Sequence, residues 1–70
     1  MITTQIIENT KAFQELSPVT QLIYRKKEMM NKVKQEFQVA KNVGIEAYKG
    51  VYHPRPYVLK VIKELLENGW

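Results

Sequence analysis

The 70-residue chain is long enough for one domain (residues 1–70), and its composition excludes several kinds of site. It contains no cysteine, no aspartate and one histidine, His53, so disulfide bonds, thiolate metal sites and a structural zinc site are not expected. The net charge is +4 with a sequence pI near 9.5. The segment 25–55 has eight Lys or Arg against three Glu, a balance of +5, which suits an anionic partner.

The chain shows no pattern of membrane insertion or secretion. No apolar run approaches the ~20 residues that cross a bilayer. Residues 1–8 have neither the basic flank nor the apolar stretch of a signal peptide. With the absence of cysteine, these features predict a soluble cytoplasmic protein.

The first predicted helix spans about residues 3–16. At 100° per residue one face collects Ile2, Ile6, Thr10, Phe13 and Leu16. Ser17 and Pro18 then predict the start of another helix, because the serine hydroxyl caps free amides and proline fits the first turn.

The second predicted helix, residues 18–43, has the clearest pattern. Its seam has 4-3-4-3-4-3 spacing and consists of Val19, Ile23, Lys26, Met30, Val33, Phe37 and Ala40. Gly44 is expected to supply a left-handed C-cap, with Ile45 packing back near Ala40. The seam indicates the core face of a bundle helix or, as the alternative, a dimeric coiled coil with Lys26 inside it.

Residues 45–55 are predicted to form an irregular connector, since they include Gly50 and Pro54. A helical turn at its start or a hairpin at Gly50 is compatible with it. A last helix is expected over residues 56–68, ended by Gly69, with Trp70 closing against Leu65. The predicted fold is therefore all-α: a small three-helix bundle with one long central helix and a Pro/Tyr-rich connector.

Catalytic patterns are weak. A nucleophilic triad needs a nucleophile, a base and an orienting acid, and Ser17 is explained as a helix cap. A minimal ribonuclease would use Glu46 as base with His53 and Arg55. The tyrosines around them are better explained as residues that pack the edge of a small core, so we expect no enzyme, no cofactor and no metal.

Part of a helix-turn-helix pattern occurs at the end of the second helix. Ala40 and Gly44 have the required spacing, with apolar Val39, Val43 and Ile45 around them. The second half departs from the pattern, because Gly50 stands where a buried aliphatic residue is wanted and His53-Pro54 shortens the helix. A helix ended by glycine explains the same residues.

The connector mixes aromatic and cationic side chains, and the candidate partner-binding residues are Tyr48, Tyr52, His53, Arg55 and Tyr57. Such residues are found both at protein interfaces and at sites that bind single-stranded nucleic acid.

We predict a non-catalytic regulator or adaptor that binds a protein, comparable in size and simplicity to phage or mobile-element inhibitors. A homodimer through the long helix is a candidate assembly. The alternative is a small DNA- or RNA-binding regulator that uses Arg25, Lys26, Lys27, Lys32, Lys34 and Lys41.

Overall fold

The structure is a computed structural model that describes residues 2–70, in which all regular structure is helical. The six helices are α1 (Thr4–Glu8), α2 (Lys11–Gln14), α3 (Pro18–Tyr24), α4 (Lys27–Val43), α5 (Ile45–Tyr52) and α6 (Pro56–Glu67). The all-α class is confirmed, but six shorter helices take the place of the three predicted ones. No helix in the described range is long and apolar enough to cross a bilayer.

The first predicted helix is divided at Thr10. The Thr3 hydroxyl caps α1 by accepting a hydrogen bond from the Ile6 N–H at 3.2 Å. The Thr10 hydroxyl caps α2 by accepting from the Phe13 N–H at 3.1 Å, and it donates to the Ile7 carbonyl at 2.8 Å. Threonine is a good N-cap, so the residue assigned to the middle of one helix begins a second.

The predicted helix over residues 18–43 is broken at Arg25 and Lys26. Lys26 has an extended backbone (φ −61°, ψ 141°) and is the N-cap of α4, so α3 and α4 are separate helices. The Arg25 Nε lies 2.7 Å from Glu8 Oε1, which ties the break to the end of α1. Lys26, predicted to interrupt a continuous seam, is instead an exposed residue at the junction.

The two halves of the predicted seam have opposite surroundings. In α4 the seam is buried in the core of this same chain, whereas α3 buries no residue. The buried members are Met30, Val33, Phe37 and Ala40. A homodimer through the whole seam would have to take these side chains out of the core, and the homodimer stays a prediction.

Gly44 ends α4 and begins α5. Its backbone (φ 94°, ψ 154°) lies in a region used almost only by glycine, not in the expected left-handed helical region. The Gly44 N–H donates to the Ala40 carbonyl at 2.9 Å, and the Gly44 carbonyl accepts from the Tyr48 N–H at 3.0 Å. The chain therefore turns directly into a helix, and most of the predicted irregular connector is α5.

The end of α6 agrees with the sequence prediction to within one residue. Gly69 has φ 84°, and its N–H donates to the Leu66 carbonyl at 3.1 Å. The Trp70 N–H donates to the Leu65 carbonyl at 3.1 Å. These are the two hydrogen bonds of a Schellman closure.

The core lies between α4, α6 and the short N-terminal helices, and Tyr48 of α5 completes it. Its buried apolar residues are Ile7, Ala12, Phe13, Met30, Val33, Phe37, Ala40, Tyr48, Val58, Val61, Ile62 and Leu65. A carboxylate connects α6 to α2. Glu64 of α6 accepts hydrogen bonds from the N–H groups of Lys11 (2.8 Å) and Ala12 (3.1 Å) at the start of α2. Glu64 thus caps a helix from a distant part of the chain.

Candidate functional site: a cleft beside the His53 turn

A cleft of about 280 Å³ lies between α4 and the turn that joins α5 to α6. Its size is near the lower limit of small-molecule pockets, roughly 300 Å³. The polar side chains that line it are Tyr24, Lys32, Glu36, Tyr52, His53 and Arg55. The structure therefore brings three of the predicted partner-binding residues together with one of the predicted nucleic-acid-binding lysines.

The turn that forms one edge of the cleft has a strained backbone. His53 has left-handed dihedral angles (φ 46°, ψ 56°) and is the only described residue other than glycine with a positive φ. Its N–H donates to the Lys49 carbonyl at 3.1 Å, and Pro54 and Pro56 restrict the chain that follows. Such strain is of order 1–3 kcal/mol and is concentrated at functional sites. The turn leaves Tyr52, His53 and Arg55 exposed at the edge of the cleft.

Glu36 lines the cleft and is hydrogen-bonded to Tyr48, which lies in the core behind it. The Tyr48 hydroxyl donates to Glu36 Oε1 at 2.6 Å, and both residues are buried. Burial, followed by this hydrogen bond to a carboxylate, raises the pKa of Tyr48 well above its usual value. Tyr48 is fully buried, so this predicted partner-binding residue belongs to the core. Its ring supports Tyr52, which stacks on it at a centroid distance of 5.4 Å.

A second tyrosine pair fixes α3 to α6 beside the cleft. The hydroxyls of Tyr24 and Tyr57 are 2.7 Å apart, and their rings meet edge to face at 5.3 Å. Burial and the hydrogen bond with Tyr57 raise the pKa of Tyr24 to about 12. Tyr57 is half-buried, and its hydroxyl is engaged in this hydrogen bond within the chain.

The predicted basic face divides into separate groups. Arg25 is paired with Glu8, Lys26 lies at the helix junction, and Lys32 lines the cleft. A stripe on α4 holds the rest at seven-residue spacing: Lys27, Lys34 and Lys41. None of these three forms an ion pair with residues 2–70.

The structure does not bring the three residues of the ribonuclease hypothesis, Glu46, His53 and Arg55, together in the cleft. Glu46 is exposed, pairs with Lys49 at 3.8 Å and does not line the cleft. Glu36 is the carboxylate in the cleft, but it accepts the Tyr48 hydrogen bond. Within residues 2–70 no group of three or more metal-ligating side chains occurs.

The partial helix-turn-helix pattern also differs from the structure. Ala40 is buried at the predicted helix contact, but α4 and α5 are joined by Gly44 alone, where that motif has a turn of three or four residues. The outer side of α5 carries Glu46 beside Lys49, a poor surface for phosphates.

Sequence reasoning missed Glu36 and Tyr24 as parts of the site. The position of Glu36 in the sequence could have indicated its burial. Glu36 lies three residues after Val33 and four before Ala40, on the helix face that the periodicity turns toward the core. A charged residue at such a position is rarely buried without a partner. The hydroxyl that satisfies it, from Tyr48, could not be assigned before α5 was known to be a helix.

Comparison with known proteins leaves the cleft to be interpreted from its own residues. No family model matches the chain, and no curated protein and no solved structure matches it.

Proposed function

We propose that this protein is a non-catalytic regulatory or adaptor protein that acts in the cytoplasm by binding a protein partner at the cleft. The observation that carries the proposal is the strained His53 turn, which exposes Tyr52 and Arg55 at the edge of a concave surface. Tyrosine and arginine are enriched among the residues that dominate protein interfaces. The stacking of Tyr52 on Tyr48 lowers the entropy lost when the exposed ring is immobilised by a partner.

The charges of the cleft favour an acidic group of the partner. Lys32 and Arg55 line it as cations, and Glu36 is the opposing carboxylate. Glu36 already accepts a hydrogen bond from Tyr48, so the two exposed cations are the groups left to bind a partner's carboxylate. A compact inhibitor that occupies an acidic functional surface of its target would use such a site.

A second candidate function, nucleic-acid binding, is supported by the stripe Lys27, Lys34 and Lys41. The first and the last of these cations are 14 residues apart on α4, roughly 21 Å along the helix. Three phosphate contacts would give log affinity a slope of about −2.7 against log salt on duplex DNA.

The experiment that separates the two functions is affinity capture from a nuclease-treated lysate of the source cell. The cleft variant is Tyr52→Ala/Arg55→Ala, and the matched control is Lys34→Glu/Lys41→Glu. All four positions lie outside the buried core, so the fold is expected to persist and is checked by circular dichroism.

We expect the wild type and the lysine variant to capture the same protein, and the cleft variant to lose it. Sub-micromolar binding of duplex DNA or RNA at physiological salt, abolished by the lysine reversals and unchanged in the cleft variant, would contradict the proposed function.

A further inference from the structure

Helix α3 is oriented with its apolar side toward solvent. Val19 and Leu22 are 69% and 66% exposed, and Ile23 is 44% exposed. Their spacing of three and four residues places them on one face of the helix. A surface helix of a globular protein normally turns such a stripe toward the core, so α3 is the reverse of the usual case.

The opposite, polar side of α3 is attached to the rest of the molecule. The Gln21 side-chain amide donates to the carbonyls of Gln14 (3.2 Å) and Leu16 (3.0 Å) at the end of α2. Tyr24, one turn later, is bound to Tyr57 of α6. Because these contacts fix the inward side, the outward position of the apolar side is specified by the fold.

We propose that the apolar face of α3, Val19, Leu22 and Ile23, is a docking surface for a partner protein, which packs on it an amphipathic helix with acidic residues beside its own apolar stripe. The charge next to the face selects this occupant. Within residues 16–27 there is no acidic residue, and Glu15 and Glu28 lie just outside this range. Lys26 and Lys27 are exposed at the C-terminal end of α3 and have no ion pair within residues 2–70.

A second copy of the chain is a poorer occupant. Stable interfaces bury about 800 Å² on each partner, which is well above what three partly exposed aliphatic side chains supply. Two copies of α3 packed in parallel would also bring Lys26 and Lys27 of each copy together. A helix with acidic residues gains from the same lysines, and its protein can make further contacts elsewhere.

The test uses a fluorescent helical peptide as the probe, with leucines at i, i+3, i+4 and i+7 flanked by glutamates. The control peptide has lysines in place of the glutamates. Fluorescence anisotropy measures binding to the full chain, and NMR chemical shifts locate the peptide. We expect the acidic peptide to bind on α3, and Leu22→Gln to weaken it about tenfold or more.

The matched control variant is Val51→Gln, since Val51 is 74% exposed on α5, outside the proposed surface. We expect it to leave the affinity unchanged, as should Tyr52→Ala in the cleft. Reversing Lys26 and Lys27 to glutamate should transfer the preference to the lysine peptide. All these positions are exposed, so the unfolding midpoints should stay close to that of the wild type.

Three results would overturn the proposal. Equal binding of the two peptides would remove the charge selection, and an acidic peptide that is insensitive to Leu22→Gln would not be bound at α3. A dimer seen by sedimentation and abolished by Leu22→Gln would make a second copy the occupant. Because Tyr52→Ala affects only the cleft, failure here is distinct from failure of the proposed function.

Discussion

Helices α3 and α4 come from one continuous hydrophobic pattern, yet the structure uses their apolar faces in opposite ways. In α4 the face formed by Met30, Val33 and Phe37 is buried, and in α3 the face formed by Val19 and Leu22 is in water. The spacing of the pattern is the same on both sides of Lys26. What differs is the set of polar contacts: the hydrogen bonds of α3 to α2 and α6 start from its polar side.

The comparison shows that hydrophobic periodicity identifies an apolar stripe but not the direction in which the stripe faces. The seven-residue α3 has three large aliphatic residues in its stripe, and its polar side makes the hydrogen bonds, about 1 kcal/mol each, that attach it to α2 and α6. The 17-residue α4 has a longer stripe, and burial of that stripe dominates. We expect measurements that separate the two helices to give the following results.

The largest difference should come from truncating one large apolar residue in each helix. Phe37 is 3% exposed, so Phe37→Ala should lower the free energy of unfolding by about 3–5 kcal/mol, which approaches the whole stability of a domain this small. Leu22→Ala on α3 should change it by no more than about 0.5 kcal/mol. Urea unfolding followed by circular dichroism measures both, and a loss above about 2 kcal/mol for Leu22→Ala would mean that α3 is turned inward.

The C-terminal end of α4 provides the next test, because the break between α4 and α5 depends on the backbone of a glycine. Gly44→Ala should destabilise by about 1–3 kcal/mol, since φ is +94° there even though a Cβ would meet no atom within 4 Å. Gly50→Ala, inside α5 with equal space and no positive φ, should stabilise by about 0.4–1 kcal/mol. Equal effects of the two substitutions on thermal unfolding would contradict the assigned backbone at Gly44.

These junctions also mark what the sequence could predict. Ser17-Pro18 and Gly69 carry explicit start and stop signals, and the structure begins and ends helices there. Lys26 is polar but is not a residue type that usually caps a helix, and in the structure its side chain makes no cap hydrogen bond. The break at Lys26 depends on tertiary contacts, such as the pair of Arg25 with Glu8, which lie 17 residues apart.

The candidate site was predictable only in its composition. Tyr52, His53 and Arg55 are exposed in the structure, and their role in binding a partner stays a prediction. The burial of Tyr48 was not predicted because α5 was expected to be irregular. Helical geometry turns this residue into the core, where its hydroxyl donates a hydrogen bond to Glu36. The cleft itself depends on how α5 folds back on α4, which no local pattern encodes.

A smaller effect should come from removing the polar attachment of α3. Gln21→Ala eliminates the hydrogen bonds to the end of α2 and should lower the free energy of unfolding by about 0.5–1.5 kcal/mol. The matched substitution is Gln38→Ala on α4, whose amide reaches only the Asn42 side chain at 3.4 Å and is exposed. We expect no measurable loss for Gln38→Ala, and equal losses for both variants in chemical denaturation would refute the role given to Gln21.

The smallest effect should be a dependence on alkaline pH. The pKa of Tyr24 is raised from 10.0 to about 12 in the folded chain, so the folded state favours the protonated phenol. This contribution is fully present below pH 10 and is lost as the pH rises toward 12. Because Tyr24 is only half-buried, solvent screening keeps it small. Stability curves between pH 9 and 12 should fall less steeply for Tyr24→Phe than for the wild type, and parallel curves would contradict this assignment.

The orientation of α3 is tested most directly by thiol accessibility, because the chain has no cysteine of its own. Val19→Cys and Val33→Cys place one thiol at matched seam positions in α3 and α4. With a stability of about 3–5 kcal/mol, a buried thiol that reacts only after unfolding should be modified on the order of 100-fold or more slowly than an exposed one. We predict that the thiol at position 19 reacts at the rate of the unfolded chain and that the thiol at position 33 is protected. Equal protection of both thiols would show that α3 and α4 present one continuous buried seam and would contradict the inverted helix.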